Sequence, residues 1–227
     1  MDYVKKTFFG RRKGKGMSKA KEDLLSTRMK DFEIILPTKG KIDFFKLFDF
    51  TPKKVIFEIG YGDGEHIVNM ALKNPDIAFI GTEVFMNGNA SILRKIIDNN
   101  IKNIRIFPDD VNLLFPFIPS GVFDTIFVLY PDPWPKNRNE ERRMINKNNV
   151  KLFADFLKSD GNLFVASDHP VYIPWVLFVM QNQDSFTWTA LKSSDFTNPP
   201  KDWETTRYEQ KAIAENRKPI YLNFVKK

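Results

Sequence analysis

Short apolar segments alternate with helical segments along this chain, which is the pattern of a repeated strand–helix unit. Strands are expected near residues 55–59, 78–82, 103–107, 123–129, 161–167, 185–191 and 219–225. Helices are expected at about residues 64–73, 86–99, 140–158, 170–182 and 205–214, and Asp160-Gly161 is expected to close the third of them. Because such alternation favours a parallel sheet with helices on both faces, the sequence predicts an α/β fold.

An acidic residue stands at or just after the end of each of the first four strands: Glu58, Glu83, Asp110 and Asp132. In open α/β sheets, ligands bind outside the carboxyl ends of the strands. Taken singly, each acid has a structural alternative as a helix cap or first-turn acid, and for the neighbouring Asp109 the cap is favoured. Carboxylates that cluster without partners repel each other, so the repetition favours a cationic ligand.

A glycine-rich turn, Gly60-Tyr61-Gly62-Asp63-Gly64, follows the first of these strands. Glycine permits a sharp turn and a close approach of a ligand to the backbone. The dinucleotide fingerprint requires another glycine where Glu65 stands, which disfavours a nicotinamide oxidoreductase. S-adenosylmethionine fits this acidic loop better, because it carries a sulfonium and an ammonium and no phosphate. Glu83, about 20 residues further on, is suited to the ribose hydroxyls, and Asp110 to the adenine amine.

The run Tyr130-Pro131-Asp132-Pro133-Trp134-Pro135-Lys136 follows the apolar strand at 123–129. Its prolines prevent either a strand or a helix from continuing, because each fixes its own φ and lacks an N–H. The result is a rigid loop that displays Asp132, Trp134 and Lys136. The structural alternative is a surface turn rich in proline, with a packed tryptophan.

These segments together resemble the bacterial tRNA (guanine-N7-)-methyltransferases. The matching elements are Glu58 to Gly64, Ile80 to Val84, Asp110-Val111, Pro131 to Lys136 with Arg138 and Arg142-Arg143, Ala166 to Asp168, and Thr206 to Glu209. Departures from the usual pattern are Tyr61, Asp63, Asn139 and His169-Pro170. The resemblance implies a single-domain, Rossmann-like methyltransferase fold over residues 22–227. Its sheet would have seven mostly parallel strands, with an antiparallel last strand.

The resemblance also implies an activity: transfer of a methyl group from S-adenosylmethionine to N7 of guanine 46 in the variable loop of tRNA. The residues it implies for the donor pocket are Glu58, Gly60, Glu83, Asp110 and Asp132. Those it implies for the tRNA are Lys136, Asp168, Thr206, Arg207, Tyr208 and Glu209. Three other functions stay open. One is a methyltransferase acting on an exocyclic amine of adenine or on a protein glutamine. The others are a nicotinamide oxidoreductase, which Glu65 disfavours, and a non-enzymatic tRNA-binding protein.

Basic residues are concentrated at the start of the chain, where residues 1–21 hold the whole formal net charge of +7. Attraction to a polyanion is therefore expected from this segment. Glycines and phenylalanines interrupt the charge, so we expect a flexible arm that orders on RNA and is not helical. The alternative is a solvated tail. The expected RNA contacts are Arg11, Arg12 and Lys13 in the arm and Arg138, Arg142 and Arg143 after the proline-rich loop.

Composition limits the remaining classes of function. The chain has no cysteine and two histidines, so we expect no disulfide and no metal centre. No apolar stretch approaches the roughly 18 residues that span a bilayer, and the basic start lacks an apolar signal core. We therefore expect a cytoplasmic protein, monomeric or homodimeric, that does not bind membranes.

The implied chemistry needs few reacting side chains. Guanine N7 carries a lone pair and no proton, so its methylation requires alignment with the methyl group and no general base. Positive charge moves from the sulfonium to the guanine during transfer, and Asp132 is the first choice to stabilise it. Asp168 is a candidate acceptor for the guanine N1–H and exocyclic amine. Trp134 is either a stacking surface for the base or an anchor for the loop.

Overall fold

A computed structural model of the protein describes residue 12, residues 16–201 and residues 203–227. Two compact units divide the chain between Pro119 and Ser120. The first unit contains α1 (Lys19–Arg28), β1 (Lys54–Ile59), α2 (Glu65–Lys73), β2 (Ile77–Thr82), α3 (Met86–Asp98), β3 (Ile104–Phe107) and α4 (Val111–Leu114). The second contains β4 (Phe123–Leu129), α5 (Lys147–Phe156), β5 (Leu157–Ser167), α6 (Tyr172–Gln181), β6 (Phe186–Trp188), α7 (Ser194–Thr197), α8 (Arg207–Ala214) and β7 (Ile220–Lys226). Short 3-10 helices occupy Met29–Asp31, Phe44–Leu47, Phe115–Phe117 and Asn137–Arg142.

Three parallel strands form the sheet of the first unit, in the order β3-β2-β1. Ile59 pairs with Thr82, and Thr82 pairs with Phe107, so the three strands end level with one another. They read as continuous apolar runs because strands of this kind are buried on both faces. The residues that follow them therefore emerge at one edge of the sheet.

The strands of the second unit follow the order β4-β5-β7-β6. β4 and β5 are parallel, whereas β7 runs antiparallel to both β5 and β6. The expected seven-stranded, mostly parallel sheet with an antiparallel last strand is confirmed. Within the described residues, no helix is both long enough and apolar enough to cross a bilayer.

Amphipathic helices bury their apolar faces against these strands. α3 buries Ile92, Leu93 and Ile96, at the spacing that aligns apolar residues along one side of a helix. This helix also packs tightly on the glycine-rich turn: a Cβ added at Gly64 would lie 2.7 Å from Ile92. One added at Gly88 would lie 2.3 Å from the Gly62 oxygen. The close packing fixes the turn beside the carboxyl end of β1.

Three expectations about secondary structure were wrong. Residues 140–158 do not form one helix, because Asn146 caps a new helix by accepting hydrogen bonds from the Asn148 and Asn149 amides. Asp160-Gly161 does not end that helix either; the residues 158–161 bulge out of β5 between its Leu157 and Asn162 pairings with β4. Lys19 to Lys21, expected in a non-helical arm, begin α1, whose sequence contains neither glycine nor proline.

The expected strand at 185–191 is shorter in the structure, where β6 ends at Trp188. The division at 21 between an arm and a domain stays a prediction. The arm's residues 1–11 and 13–15 lie outside the described part of the chain.

Candidate functional site

The glycine-rich turn presents its backbone at the carboxyl end of β1. The Gly60 and Tyr61 amides donate to the Thr82 carbonyl oxygen at 2.8 and 3.2 Å, which ties the turn to β2. Gly60, Gly62 and Gly64 have φ values of 77°, 58° and 81°, a region that side chains rarely tolerate. A Cβ at Gly60 would meet no atom within 4 Å. The backbone at Gly60 is therefore open to a ligand.

Glu83, immediately after β2, braces the same turn. One oxygen of its carboxylate accepts the Gly62 amide at 2.9 Å and the other accepts the Phe85 amide at 2.9 Å. Phe85 is the residue that precedes α3, so Glu83 joins the glycine-rich turn to the start of that helix. The carboxylate is half-buried.

Glu58, near the end of β1, is buried and lies against His66 in the first turn of α2. The Glu58 Oε2 atom is 2.7 Å from the His66 Nδ1 atom, and each residue is only 3% exposed. Sequence reasoning did not assign His66 a role. Its place in the first turn of the helix after a strand that ends in an acid is the signal that could have found it.

The third strand leads to a pair of acids with different partners. Asp110, not Asp109 as expected, caps α4: its Oδ1 atom accepts the Asn112 amide at 3.0 Å. Asp109 instead accepts the Asp110 amide at 2.7 Å and pairs with the guanidinium of Arg12. The Met86 amide also donates to the Arg12 carbonyl at 3.0 Å. Within the first unit, Arg12 therefore contacts Asp109 and the start of α3, while Arg11 and Lys13 lie outside the described residues.

The first unit thus brings Glu58, Gly60, Glu83 and Asp110 to the carboxyl edge of β1–β3. The pKa of Tyr61 is raised by burial and by the carboxylates of Glu83 and Glu58. The two carboxylates therefore make this edge of the sheet electrostatically negative. Among the described residues, no group of three or more histidine, cysteine, aspartate or glutamate side chains is arranged to hold a metal ion.

The proline-rich loop of the second unit is held in a constrained conformation. Tyr130 and Trp134, which flank its Pro131 to Pro133 segment, have φ values of 49° and 42°. Bulky residues rarely adopt this region, and such strain concentrates at functional sites. Arg143 holds the loop from below: its guanidinium donates to the Pro133 and Trp134 carbonyls at 3.1 and 3.0 Å.

Arg143 is 2% exposed and stacks over the Trp175 ring at 4.5 Å. Because Arg143 is buried, it supports the loop, and we remove it from the candidate RNA contacts. Arg142 is exposed and lies 5.2 Å from the centre of the Trp134 ring. Trp134 is half-buried beneath it, which favours the anchoring interpretation of that ring.

The other charged groups of the loop face outward. Lys136 and Arg138 are exposed. Asp132 also reaches solvent, yet the surrounding protein desolvates its carboxyl group, and this burial raises the pKa of Asp132 above its ordinary value. At the end of β5, Asp168 is half-buried and pairs with Arg217 at 2.7 Å. Arg217 was not singled out from the sequence.

The segment Thr206 to Glu209 divides into supporting and exposed residues. Thr206 caps α8 by accepting the Glu209 amide at 3.0 Å. Glu209 is buried, and its carboxylate accepts hydrogen bonds from the Trp203 indole at 2.7 Å and the Tyr221 hydroxyl at 2.5 Å. Arg207 and Tyr208 are exposed on the first turn of the helix.

Comparison with known proteins gives matches over most of the chain. A family model described as "Putative methyltransferase" matches residues 52–222. The tRNA (guanine-N(7)-)-methyltransferase of Rhodospirillum rubrum is 40% identical over 220 residues, which cover 96% of this chain and 86% of that protein. The protein of the same name from Rhizobium johnstonii is 37% identical over 219 residues, covering 96% and 94%.

Solved structures of more distant proteins confirm the Rossmann-like methyltransferase fold. The 16S rRNA methyltransferase KamB has a TM-score of 0.55 at 12% identity, covering 86% of this chain and 98% of that one. SMU.1697c of Streptococcus mutans, solved in complex with SAH, has a TM-score of 0.53 at 12% identity, covering 78% and 90%. The relatives, matched over nearly their whole length, and the family model together establish that this chain belongs to the tRNA (guanine-N(7)-)-methyltransferase family.

Proposed function

We propose that this protein transfers the methyl group of S-adenosylmethionine to N7 of guanine 46 in the variable loop of tRNA. The observation that carries the proposal is the glycine-rich turn braced by Glu83, in a chain that belongs to a tRNA (guanine-N(7)-)-methyltransferase family. We further propose that the protein acts in the cytoplasm, as a monomer or a homodimer.

The residues of the first unit fit S-adenosylmethionine. Open space beside Gly60 allows a ligand to approach the backbone, and no basic side chain is needed because the ligand carries no phosphate. Glu83 is suited to the ribose hydroxyls, Asp110 to the adenine amine and Glu58 to the cationic end of the ligand. When bound, this group supplies an electrophilic methyl carbon on a positively charged sulfur. We propose that the reaction uses no metal ion.

In the second unit, we propose that Asp132 stabilises the positive charge that develops on the guanine. A carboxylate held in a rigid loop needs no reorganisation as that charge appears. The prolines, the strained Tyr130 and Trp134, and the hydrogen bonds from Arg143 supply this rigidity. Guanine N7 has no proton to lose, so no residue is assigned the role of general base.

The tRNA contacts that we propose lie on exposed residues near the loop and on α8. Lys136, Arg138 and Arg142 are suited to phosphates, and Arg207 and Tyr208 lie on the exposed first turn of α8. Asp168 is proposed to accept from the guanine base, while Arg217 fixes its carboxylate. Thr206 and Glu209 shape the segment that carries the exposed pair.

The test is methylation of an unmodified tRNA transcript with labelled S-adenosylmethionine, followed by borohydride and aniline cleavage, which cuts at N7-methylguanosine. We expect cleavage at position 46 and none in a matched transcript with adenine at that position. Cleavage at another guanine would overturn the position and retain the reaction. Label recovered only on adenine or on protein would overturn the reaction itself.

A further inference from the structure

A cavity of about 420 Å³ lies on one face of the sheet in the second unit, and the described residues that line it include none of the proline-rich loop. Its floor is formed by β4, β5 and β7, and its wall by residues of the segment 189–200 that follows β6. The volume is within the range of sites that hold small ligands. Thr125, on the floor, lies four residues before the end of β4, about 13 Å along an extended strand.

The strand register explains which side chains form the floor. Thr125 of β4 pairs with Asn162 of β5, and two residues later Phe127 pairs with Phe164. Phe164 pairs in turn with Asn223 of β7. Because alternate residues of a strand point to the same face, all five side chains share one face of the sheet. Two phenylalanine rings 5.5 Å apart therefore lie among polar side chains.

The polar groups of this floor have hydrogen-bonding capacity to spare. Among the described residues, the side chains of Thr125, Asn162 and Asn223 donate to and accept from no protein atom, and the same holds for Asn198 in the wall. Each amide offers two donors and an acceptor. Amides beside aromatic rings are the combination that recognises nucleobases, through their edges and their faces.

Charge at the cavity disfavours an anion inside it. The described residues that line the cavity include no lysine or arginine. Asp195 is the charged residue in its wall, and its carboxylate accepts the Leu191 and Lys192 amides, which lower the pKa of Asp195 and keep it ionised. The exposed Lys192, within the wall segment, and Lys201, just after it, are suited to phosphates of a chain whose base enters the cavity.

We propose that this cavity binds one nucleobase of the tRNA substrate, separate from the guanine that is methylated. The inference rests on the proposed function, because it assumes that tRNA is the substrate. The base stacks against the half-buried Phe127, and the amides of Asn162 and Asn223 hydrogen-bond to its edge. The pocket thus serves substrate selection and takes no part in methyl transfer.

The first test replaces each floor amide by a side chain with the same number of heavy atoms that forms no hydrogen bonds, in Asn162→Leu and Asn223→Leu. We expect the KM for tRNA to rise about tenfold in each, with kcat and the KM for S-adenosylmethionine unchanged. The matched control is Asn148→Leu, at an exposed residue of α5 whose side chain makes no hydrogen bond to the described residues. An unchanged KM for tRNA in both floor variants, as a small metabolite or a protein partner in the cavity would give, overturns the proposal.

The second test uses the unaltered protein, so it does not depend on how the variants fold. A tRNA transcript containing 4-thiouridine is photocrosslinked to the protein, and the crosslinked peptides are mapped. We expect crosslinks within 162–164 or 189–200, and crosslinks confined to other peptides overturn the pocket. Crosslinks at these peptides without any N7 methylation would contradict the proposed activity and still support the pocket. Methylation by the protein together with an unchanged KM for tRNA in both floor variants would support the activity and contradict the pocket.

Discussion

The Nδ1 atom of His66 lies 2.7 Å from the Oε2 atom of Glu58, and both side chains are buried. This hydrogen bond joins the end of β1 to the first turn of α2 across the glycine-rich turn. A carboxylate buried beside a ligand site needs such a partner, because an unpaired buried charge is costly. His66 therefore holds the Glu58 carboxylate in place, and we propose that this contact positions it for the methyl donor.

Replacing His66 tests this orientation. In His66→Ala we expect weaker binding of S-adenosylhomocysteine by calorimetry, because Glu58 is free to turn away. We also expect a loss of about 1–3 kcal/mol in the free energy of unfolding, since a buried acceptor loses its donor. The double variant with Glu58→Ala should cost less than the sum of the single variants, as is usual for residues in contact. Unaltered ligand affinity in His66→Ala would remove His66 from the site.

Replacing Asp132 should lower activity and raise stability. Asp132→Asn should lower kcat by about 100-fold, because the charge aimed at the guanine is lost. Burial raises the pKa of Asp132, so its ionisation in the folded state opposes folding once the pH exceeds the unfolded value of 3.8. The variant should therefore melt at a higher temperature than the native protein at pH 7.

The stability difference should shrink as the pH falls through the folded-state pKa of Asp132 toward 3.8, because the native carboxyl group then becomes neutral too. Asp184→Asn, at an exposed residue, is the control and should change neither property. Native turnover in Asp132→Asn would contradict the assignment of Asp132.

The basic residues after the proline-rich loop separate into two kinds, and one pair of variants distinguishes them. Arg138 is exposed, so Arg138→Gln should weaken tRNA binding. The slope of the logarithm of the binding constant against the logarithm of the salt concentration should fall by about the share of one phosphate contact. Arg143→Lys should lower kcat with an unchanged salt slope, because a lysine cannot serve the Pro133 and Trp134 carbonyls and the Trp175 ring together. A reduced salt slope in Arg143→Lys would return Arg143 to the RNA interface.

Arg138 is exposed and Arg143 is buried, and this difference illustrates how far the sequence predicts the site. Periodic apolar segments and glycines report directly on strands, helices and turns, so the sheet and the glycine-rich turn were predictable. The irregular segment 137–146 has no periodicity from which to infer which side chains point inward. The buried positions of Arg143 and Glu209 depend on partners distant in sequence, such as Trp175 and Tyr221.

Removal of residues 1–18, ahead of α1, tests the basic arm. Residues 1–18 hold six basic residues and one acidic residue, a net charge of +5 out of the chain's +7, so the truncated protein should bind tRNA more weakly, with a flatter dependence of the binding constant on salt. Binding of S-adenosylhomocysteine should be unchanged. Arg12→Gln is the matched control, because it breaks the pair with Asp109 and leaves the rest of the charge in place. A salt slope equal to that of the intact protein would show that the arm takes no part in RNA binding, and a slope reduced as far by Arg12→Gln alone would assign its effect to that single pair.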